Sequence, residues 1–185
     1  MNTIKNNTNN ELIINKSKFI TNAFKVKDII ECKSIINDIK EKYKDATHNC
    51  YAYVIDNVKR FNDDGEPSGT AGMPILNVIE SNELNHILII VTRYFGGIKL
   101  GAGGLLRAYS NSASETLKKT DIIEEKEEIK VKIEFSYDNT NNVNYILKDY
   151  NITYKEYNDN ITYEFICEKD NYPNELDKYI IKKDV

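Results

Sequence analysis

The segment RYFGGIKLGAGGLLRAYS, residues 93–110, combines a flexible backbone with positive charge. It holds five of the chain's eight glycines and three basic residues, and no acidic residue occurs from Leu84 through Ser114. Glycine lets backbone N–H groups face outward at φ angles closed to other residues, and the unpaired N–H groups of a helix start favour an anion. The segment is therefore predicted to bind an anion or RNA. The candidate residues are Arg93, Tyr94, Gly96, Gly97, Lys99, Gly101, Gly103, Gly104 and Arg107.

A structural interpretation of the same segment stays open. The spacing in GGIKLGAGG matches neither the GxGxxG fingerprint of dinucleotide-binding folds nor the GxxxxGK[ST] phosphate-binding loop, so no nucleotide fold is predicted. The glycines can instead serve tight turns and close packing of a helix on a sheet. In that case the arginines would pair with nearby acids.

An acidic segment, NDDGEPSGTAG at residues 62–72, contains acids that could pair with these bases. Asp63, Asp64, Glu66 and Ser68 are predicted to form a loop that faces the basic segment at one edge of a sheet. The carboxylates could also bind a hard cation or take part in acid–base chemistry. However, the spacing does not match an EF-hand loop, and DG followed by EP is typical of a turn. No metal ion or cofactor is predicted.

His48 and Cys50 lie in DATHNCYAYV, at the start of a predicted strand. A thiolate activated by an imidazole needs the two side chains within hydrogen-bond distance, whereas residues i and i+2 of a strand usually lie too far apart. A structural role is favoured for both, and no catalytic residue is identified. The cysteines, Cys32, Cys50 and Cys167, are odd in number and widely spaced, so no disulfide framework is expected.

Composition limits the class of protein. The net charge is -4 and the pI is about 5.4, so any anion site must be a local patch rather than a property of the whole surface. No apolar run approaches the roughly 18 residues of a membrane span, and no signal-peptide pattern occurs. A cytoplasmic protein without a membrane partner is expected.

The first predicted domain covers residues 1–125. Its polar start, residues 2–10, is expected to be frayed, and residues 11–26 are predicted to form one extended strand. The unbroken apolar run Ile87–Val91 predicts a central strand, and the whole domain is predicted to place a layer of helices on one mixed sheet. The remaining predicted elements are a helix at 28–43, a strand at 49–55, a strand at 86–94 and a helix from about residue 103. Residues 71–82 fit a short helix with Pro74 in its first turn, although their apolar run is too short to exclude a strand.

The second predicted domain covers residues 126–185 and contains no glycine. An alternating strand at 129–137 is followed by a helix through Val143 and by a hairpin that turns at residues 158–160. A last helix is predicted from about Pro173, using Leu176, Tyr179 and Ile180. This order predicts a ferredoxin-like unit that lacks its closing strand.

Three segments, DATHNCYAYVI, DDGEPSGTAGMPIL and VTRYFGGIKLGAGGLLRAYS, occur in an order and at a spacing that resemble the signature of the YigZ/IMPACT family in its bacterial two-domain form. The resemblance implies an α+β protein. Its first domain would be similar to the second domain of a small-subunit ribosomal protein and to domain IV of elongation factor G. Its ferredoxin-like C-terminal domain would resemble domain V of that factor. Both relatives act on the ribosome, and eukaryotic IMPACT proteins regulate translation in the amino-acid starvation response.

Three functional hypotheses follow. The first is a non-enzymatic factor that associates with the ribosome or RNA and modulates translation, with Tyr94 or Phe95 stacking on a base. The second is an enzyme or binding protein for a small phosphorylated or otherwise anionic ligand; it ranks lower because no nucleophile and base pair is recognisable. The third is a protein partner of the translation machinery that docks on the charged loops.

Overall fold

The computed structural model describes residues 1–126 and 128–185. They form two compact units, Met1–Glu125 and Lys126–Val185, each with its own hydrophobic core. The elements of the first unit are β1 (Asn2–Ile4), β2 (Thr8–Ile14), β3 (Ser17–Lys25), α1 (Ile29–Lys42), β4 (His48–Ile55), β5 (Val58–Asn62), α2 (Gly72–Ser81), β6 (Ile87–Tyr94), α3 (Gly101–Leu117) and β7 (Ile122–Glu124). Among the described residues, no helix has both the length and the apolar character needed to cross a membrane.

The main sheet of the first unit has the strand order β2-β3-β6-β4-β5, and every neighbouring pair is antiparallel. The prediction of a mixed sheet is therefore wrong. Two of the pairs, β2 with β3 and β4 with β5, are joined by two-residue loops, which permit only antiparallel pairing.

The β2–β3 hairpin occupies the region predicted to be one extended strand. Asn15 and Lys16 connect the two strands with φ values of 46° and 64°. Positive φ at both residues of a two-residue loop suits the right-handed twist of the flanking strands. The prediction of a single strand over 11–26 is wrong because this turn contains no glycine to mark it.

Helices cover both faces of the main sheet. On the central strand β6, Ile87, Ile89 and Val91 pack in the core shared with α2 and α3, whereas Leu88 and Ile90 pack against α1. This two-sided burial explains the unbroken apolar run, and the predicted central strand is confirmed. The predicted helices at 28–43 and 71–82 correspond to α1 and α2.

The amino terminus is ordered rather than frayed. Strand β1 pairs antiparallel with β7, so that Ile4 lies opposite Ile122. Thr3 and Ile4 are both fully buried. The predicted fraying is wrong because one apolar residue within a polar stretch is enough to dock this short strand.

The second unit contains β8 (Glu128–Phe135), α4 (Thr140–Ile146), β9 (Asn151–Tyr157), β10 (Ile161–Glu168) and β11 (Ile180–Asp184), with 3-10 turns at Tyr137–Asn139, Lys169–Asn171 and Asn174–Lys178. Its antiparallel sheet has the order β11-β8-β10-β9, which is the strand order of a ferredoxin-like unit. The closing strand, predicted to be absent, is β11. The predicted last helix is only the 3-10 turn that buries Leu176, and Ile180 begins the strand instead. Four exposed residues in β11 remove the alternation that would have indicated a strand.

Candidate functional site

The acidic loop, defined as residues 62–72 between β5 and α2, is held by its own carboxylates. Asp63 accepts backbone N–H bonds from Ala71 (3.1 Å) and Gly72 (2.8 Å) at the start of α2, and from Gly69 (2.9 Å). Its negative charge therefore satisfies amides that the helix leaves unpaired. Ser68, in the same loop, is exposed. These contacts give Asp63 a structural role at the start of α2.

Asp64 binds the loop to the sheet and to α1. One carboxylate oxygen lies 2.7 Å from Lys40 Nζ, and the other accepts the backbone N–H of Asn49 at 2.7 Å. His48 Nδ1 lies 2.9 Å from the backbone carbonyl oxygen of Asp64. Within the described part of the chain, no three His, Cys, Asp or Glu side chains cluster as metal ligands.

Glu66 forms a buried ion pair with Arg93, which connects the two predicted segments. Arg93 Nη1 lies 2.6 Å from Glu66 Oε1, and the two side chains are 6% and 3% exposed. The Tyr109 hydroxyl donates to the same carboxylate oxygen at 2.8 Å. His48 Nε2 approaches the other oxygen at 3.7 Å. The acidic and basic segments therefore face each other at this pair, as expected. Arg93 is a buried cation rather than an exposed one.

Cys50 belongs to the same buried cluster, and its thiol is unreactive. Its thiol donates to the backbone carbonyl of Asp63 at 2.9 Å, and its Sγ lies 3.4 Å from the Tyr109 hydroxyl oxygen. Burial raises the pKa of the Cys50 thiol to about 12, and burial also raises the pKa of Tyr109 above its ordinary value. Because the thiolate is the nucleophile, Cys50 is held in its unreactive form.

The first half of the basic segment, residues 93–97, is fixed to the sheet. The Ser17 hydroxyl oxygen accepts hydrogen bonds from Arg93 Nη2 (3.3 Å) and from the Gly96 backbone N–H (3.2 Å). A Cβ on Gly96 would lie 2.0 Å from the Lys16 carbonyl carbon, so the two backbones touch there. The Tyr94 hydroxyl donates to Asp45 at 2.9 Å. We call residues 93–97 the fixed half.

The second half, residues 98–107, presents its polar groups to solvent, and we call it the free half. Lys99 and Arg107 are exposed, and neither has an ion pair with any described residue. Helix α3 begins at Gly101 without a side-chain cap and without an acid in its first turn. Leu100 has φ −83° and ψ −22°, and Gly101 has φ +68°, an alternation that turns successive N–H groups toward one side. Exposed Gly103 and half-buried Gly104 follow in the first turn.

Two cavities flank the start of α3. One, of about 360 Å³, lies between the acidic loop and the basic segment and is lined by Glu66, Arg93, Phe95 and Lys99 among others. The other, of about 630 Å³, runs along α3 and is bordered by Arg107. Lys99 and Arg107 therefore face different cavities on either side of one helix start.

Residues that the sequence did not single out complete the cluster. Ser17 and Tyr109 bind the Arg93–Glu66 pair, and Thr47 accepts the backbone N–H of Phe95 at 3.0 Å. Tyr109 lies on the apolar stripe of α3, and in the sequence only its hydroxyl group indicates that it could make a polar contact. Ser17 and Thr47 carry no signal at all, since their partners are distant in the chain.

The sequence profile of the Impact N-terminal domain matches residues 15–117, more than half of the chain. The chain belongs to the IMPACT family. The matched residues include the acidic loop, both halves of the basic segment and all of α3, so the cluster described above is part of the IMPACT domain.

Known IMPACT proteins from bacteria are similar to this one. IMPACT family member YvyE of Bacillus subtilis is 49% identical over 127 residues, which cover 67% of this chain and 58% of the relative. IMPACT family member YigZ of Escherichia coli is 37% identical over 110 residues, covering 57% of this chain and 54% of the relative. The matched region thus spans just over half the length of these relatives. A crystal structure of a hypothetical protein superposes with a TM-score of 0.73 at 25% identity, covering 96% of this chain and 89% of that chain.

Proposed function

We propose that this IMPACT protein is a non-enzymatic, RNA-associated factor that acts on translation and binds RNA phosphate with its free half. The observation that carries the proposal is that exposed Lys99 and Arg107 lie on either side of the start of α3, which has no side-chain cap. Backbone N–H groups at a helix start and Arg or Lys side chains are the usual donors to phosphate oxygens.

The electrostatics of the unit favour this location over others. The chain as a whole is acidic, with a net charge of -4, so contact with phosphate requires a local excess of positive charge. Two of the nearby acids are paired with cations of the same unit, Glu66 with Arg93 and Asp64 with Lys40, and the Asp63 carboxylate is bound by backbone N–H groups. The free half therefore faces solvent with two cations that form no ion pair with any described residue.

Family membership supports the link to translation, since eukaryotic IMPACT proteins are translational regulators. We further propose that the two units correspond to domains IV and V of elongation factor G, which act on the ribosome. The ferredoxin-like strand order of the second unit supports the second of these correspondences.

The test is co-sedimentation of the purified protein with ribosomal particles at low salt. The informative variant is Lys99→Ala/Arg107→Ala. Its control is Lys33→Ala/Arg60→Ala, which removes one exposed lysine and one exposed arginine outside the site. The proposal predicts association of the native protein and the control, and reduced association of the informative variant. Equal sedimentation of all three proteins, or none by any, would contradict it.

A further inference from the structure

The cavity between the acidic loop and the basic segment has the size and lining of a small-ligand site. Its volume is about 360 Å³, within the range of about 300–1,000 Å³ that is usual for ligand pockets. Apolar side chains, including Pro67, Phe95, Leu100 and Leu105, form most of its wall. A ligand that fills it needs an apolar or aromatic body.

The polar groups of this cavity point to an anionic end on that ligand. Lys99, which is exposed, and Gly101, the first residue of the uncapped helix α3, both line it. Anions are favoured at such a helix start. The charge of Glu66, which also lines the cavity, is balanced by Arg93, so Lys99 leaves the lining with a net positive charge.

Arg93 places a buried cation with one unused hydrogen-bond donor in the wall of this cavity. It lines the cavity with a side chain that is only 6% exposed, and its Nε–H is buried without an acceptor in the described part of the chain. Buried N–H donors are rarely left unsatisfied, because a missing hydrogen bond is costly.

Phe95 offers a stacking surface at the same place. Its side chain is 47% exposed, and the Arg93 guanidinium carbon lies 5.6 Å from its ring centroid. The backbone N–H of Phe95 donates to the Thr47 hydroxyl oxygen, which fixes the backbone from which the ring projects. An aromatic ring that is held on one side and open on the other can stack on a nucleobase.

From these observations we infer that the cavity binds a single nucleoside phosphate, with the phosphate at Lys99 and the start of α3 and the base against Phe95. The inference rests on the phosphate contact of the proposed function and adds a recognition pocket for one nucleotide. Such a nucleotide can be the phosphorylated end of an RNA strand or a free mononucleotide, and the chemistry of recognition is the same for both.

The first experiment measures binding by calorimetry and by amide shifts in a ¹⁵N-correlated NMR spectrum. The probes are the four ribonucleoside 5′-monophosphates, the corresponding nucleosides and inorganic phosphate. The inference predicts saturable binding of at least one monophosphate below about 1 mM, at least about tenfold tighter than its nucleoside or phosphate alone. The Gly101 and Ala102 amides should shift. A monophosphate that binds no tighter than inorganic phosphate would overturn the inference.

Two variants with matched controls place the ligand. Phe95→Ala should weaken monophosphate binding at least about fivefold, as expected when one stacking interaction is removed, whereas Phe61→Ala, at a similarly exposed phenylalanine outside the cavity, should not. Lys99→Ala should weaken binding of the monophosphate but not of the nucleoside, and Lys33→Ala should change neither. Equal effects of variant and control would contradict the assigned cavity.

A second arm separates this inference from the proposed function. RNA decamers with a 5′-phosphate or a 5′-hydroxyl are compared for binding. A preference for the phosphorylated end identifies RNA as the source of the nucleotide, whereas monophosphate binding without that preference identifies a free nucleotide. RNA binding that depends on Lys99 and Arg107, without any monophosphate binding, would overturn the inference and leave the proposed function standing. Monophosphate binding without RNA or ribosome binding would overturn the proposed function alone.

Discussion

The fixed half and the free half of the basic segment use the same residue types for opposite purposes. In the fixed half, Arg93 is buried against Glu66, and Gly96 allows two backbones to touch. In the free half, Arg107 is exposed without an ion pair to any described residue, and Gly101 turns the chain into α3. Arg93 and Gly96 therefore serve stability, and the two cations of the free half are left available for a partner.

This difference shows that a count of basic residues in a sequence overstates the charge available for binding. Of the three cations in the segment, one is neutralised inside the protein. If the division is correct, substitutions at Arg93 and Gly96 should change stability, and substitutions at Lys99 and Arg107 should change binding.

The largest effect on stability is expected from Arg93→Ala. Removal of one partner leaves the Glu66 carboxylate buried without its counter-charge, which costs about 3–5 kcal/mol of unfolding free energy. Arg107→Ala, at an exposed arginine, should change that free energy by less than about 0.5 kcal/mol. Urea unfolding of the two variants measures both values. Similar decreases in both would remove the distinction between the halves.

The two adjacent glycines of the fixed half should differ next. Gly96→Ala forces a methyl group against the Lys16 backbone, so we expect a decrease of about 3 kcal/mol in unfolding free energy. Gly97 has φ +85° and open space around it, so Gly97→Ala should cost only the conformational strain of about 1–2 kcal/mol. Thermal or urea unfolding tests the order. A Gly97 variant less stable than the Gly96 variant would contradict the close backbone approach.

A smaller effect is expected from pH. Burial raises the pKa of Cys50 to about 12 from an ordinary value of 9.0, so the folded state retains a proton that the unfolded chain releases above pH 9. This contribution is fully present below pH 9 and is lost as the pH rises toward 12. The loss at pH 10 is on the order of 1 kcal/mol. Unfolding free energies measured between pH 8 and 10 should therefore fall less steeply in Cys50→Ala than in the native protein. Equal slopes would indicate that the thiol is not shielded.

Sequence patterns predicted the elements of the first unit wherever hydrophobic periodicity was strong. Helix α1 and the central strand β6 follow directly from apolar spacing, whereas the apolar run of α2 was too short to exclude a strand. The β2–β3 hairpin was missed because Asn15 and Lys16 adopt positive φ without glycine, and β11 was missed because most of its residues are exposed. Both errors concern strands that are formed by pairing with another strand, β2 with β3 and β11 with β8, rather than by their own apolar pattern.

The candidate site was predictable only in part. Composition located the basic segment and the acidic loop, and their juxtaposition followed from charge. Whether an arginine is buried depends on the face of β6 or α3 on which it lies. The burial of the Arg93–Glu66 pair also depends on Ser17, which contacts Arg93, and on Tyr109, which contacts Glu66, and both contacts join residues far apart in the sequence. The residues next to each of them in the sequence therefore do not predict those contacts.

The most direct test of the account is the salt dependence of binding to single-stranded RNA, measured by fluorescence anisotropy. The native protein and the Lys33→Ala/Arg60→Ala control should share one slope of log affinity against log salt. Lys99→Ala/Arg107→Ala should bind more weakly at low salt, with a slope reduced by about 0.7 for each phosphate that the variant no longer binds. Its unfolding free energy should stay unchanged. An unaltered slope in this variant would contradict the claim that the free half binds RNA phosphate.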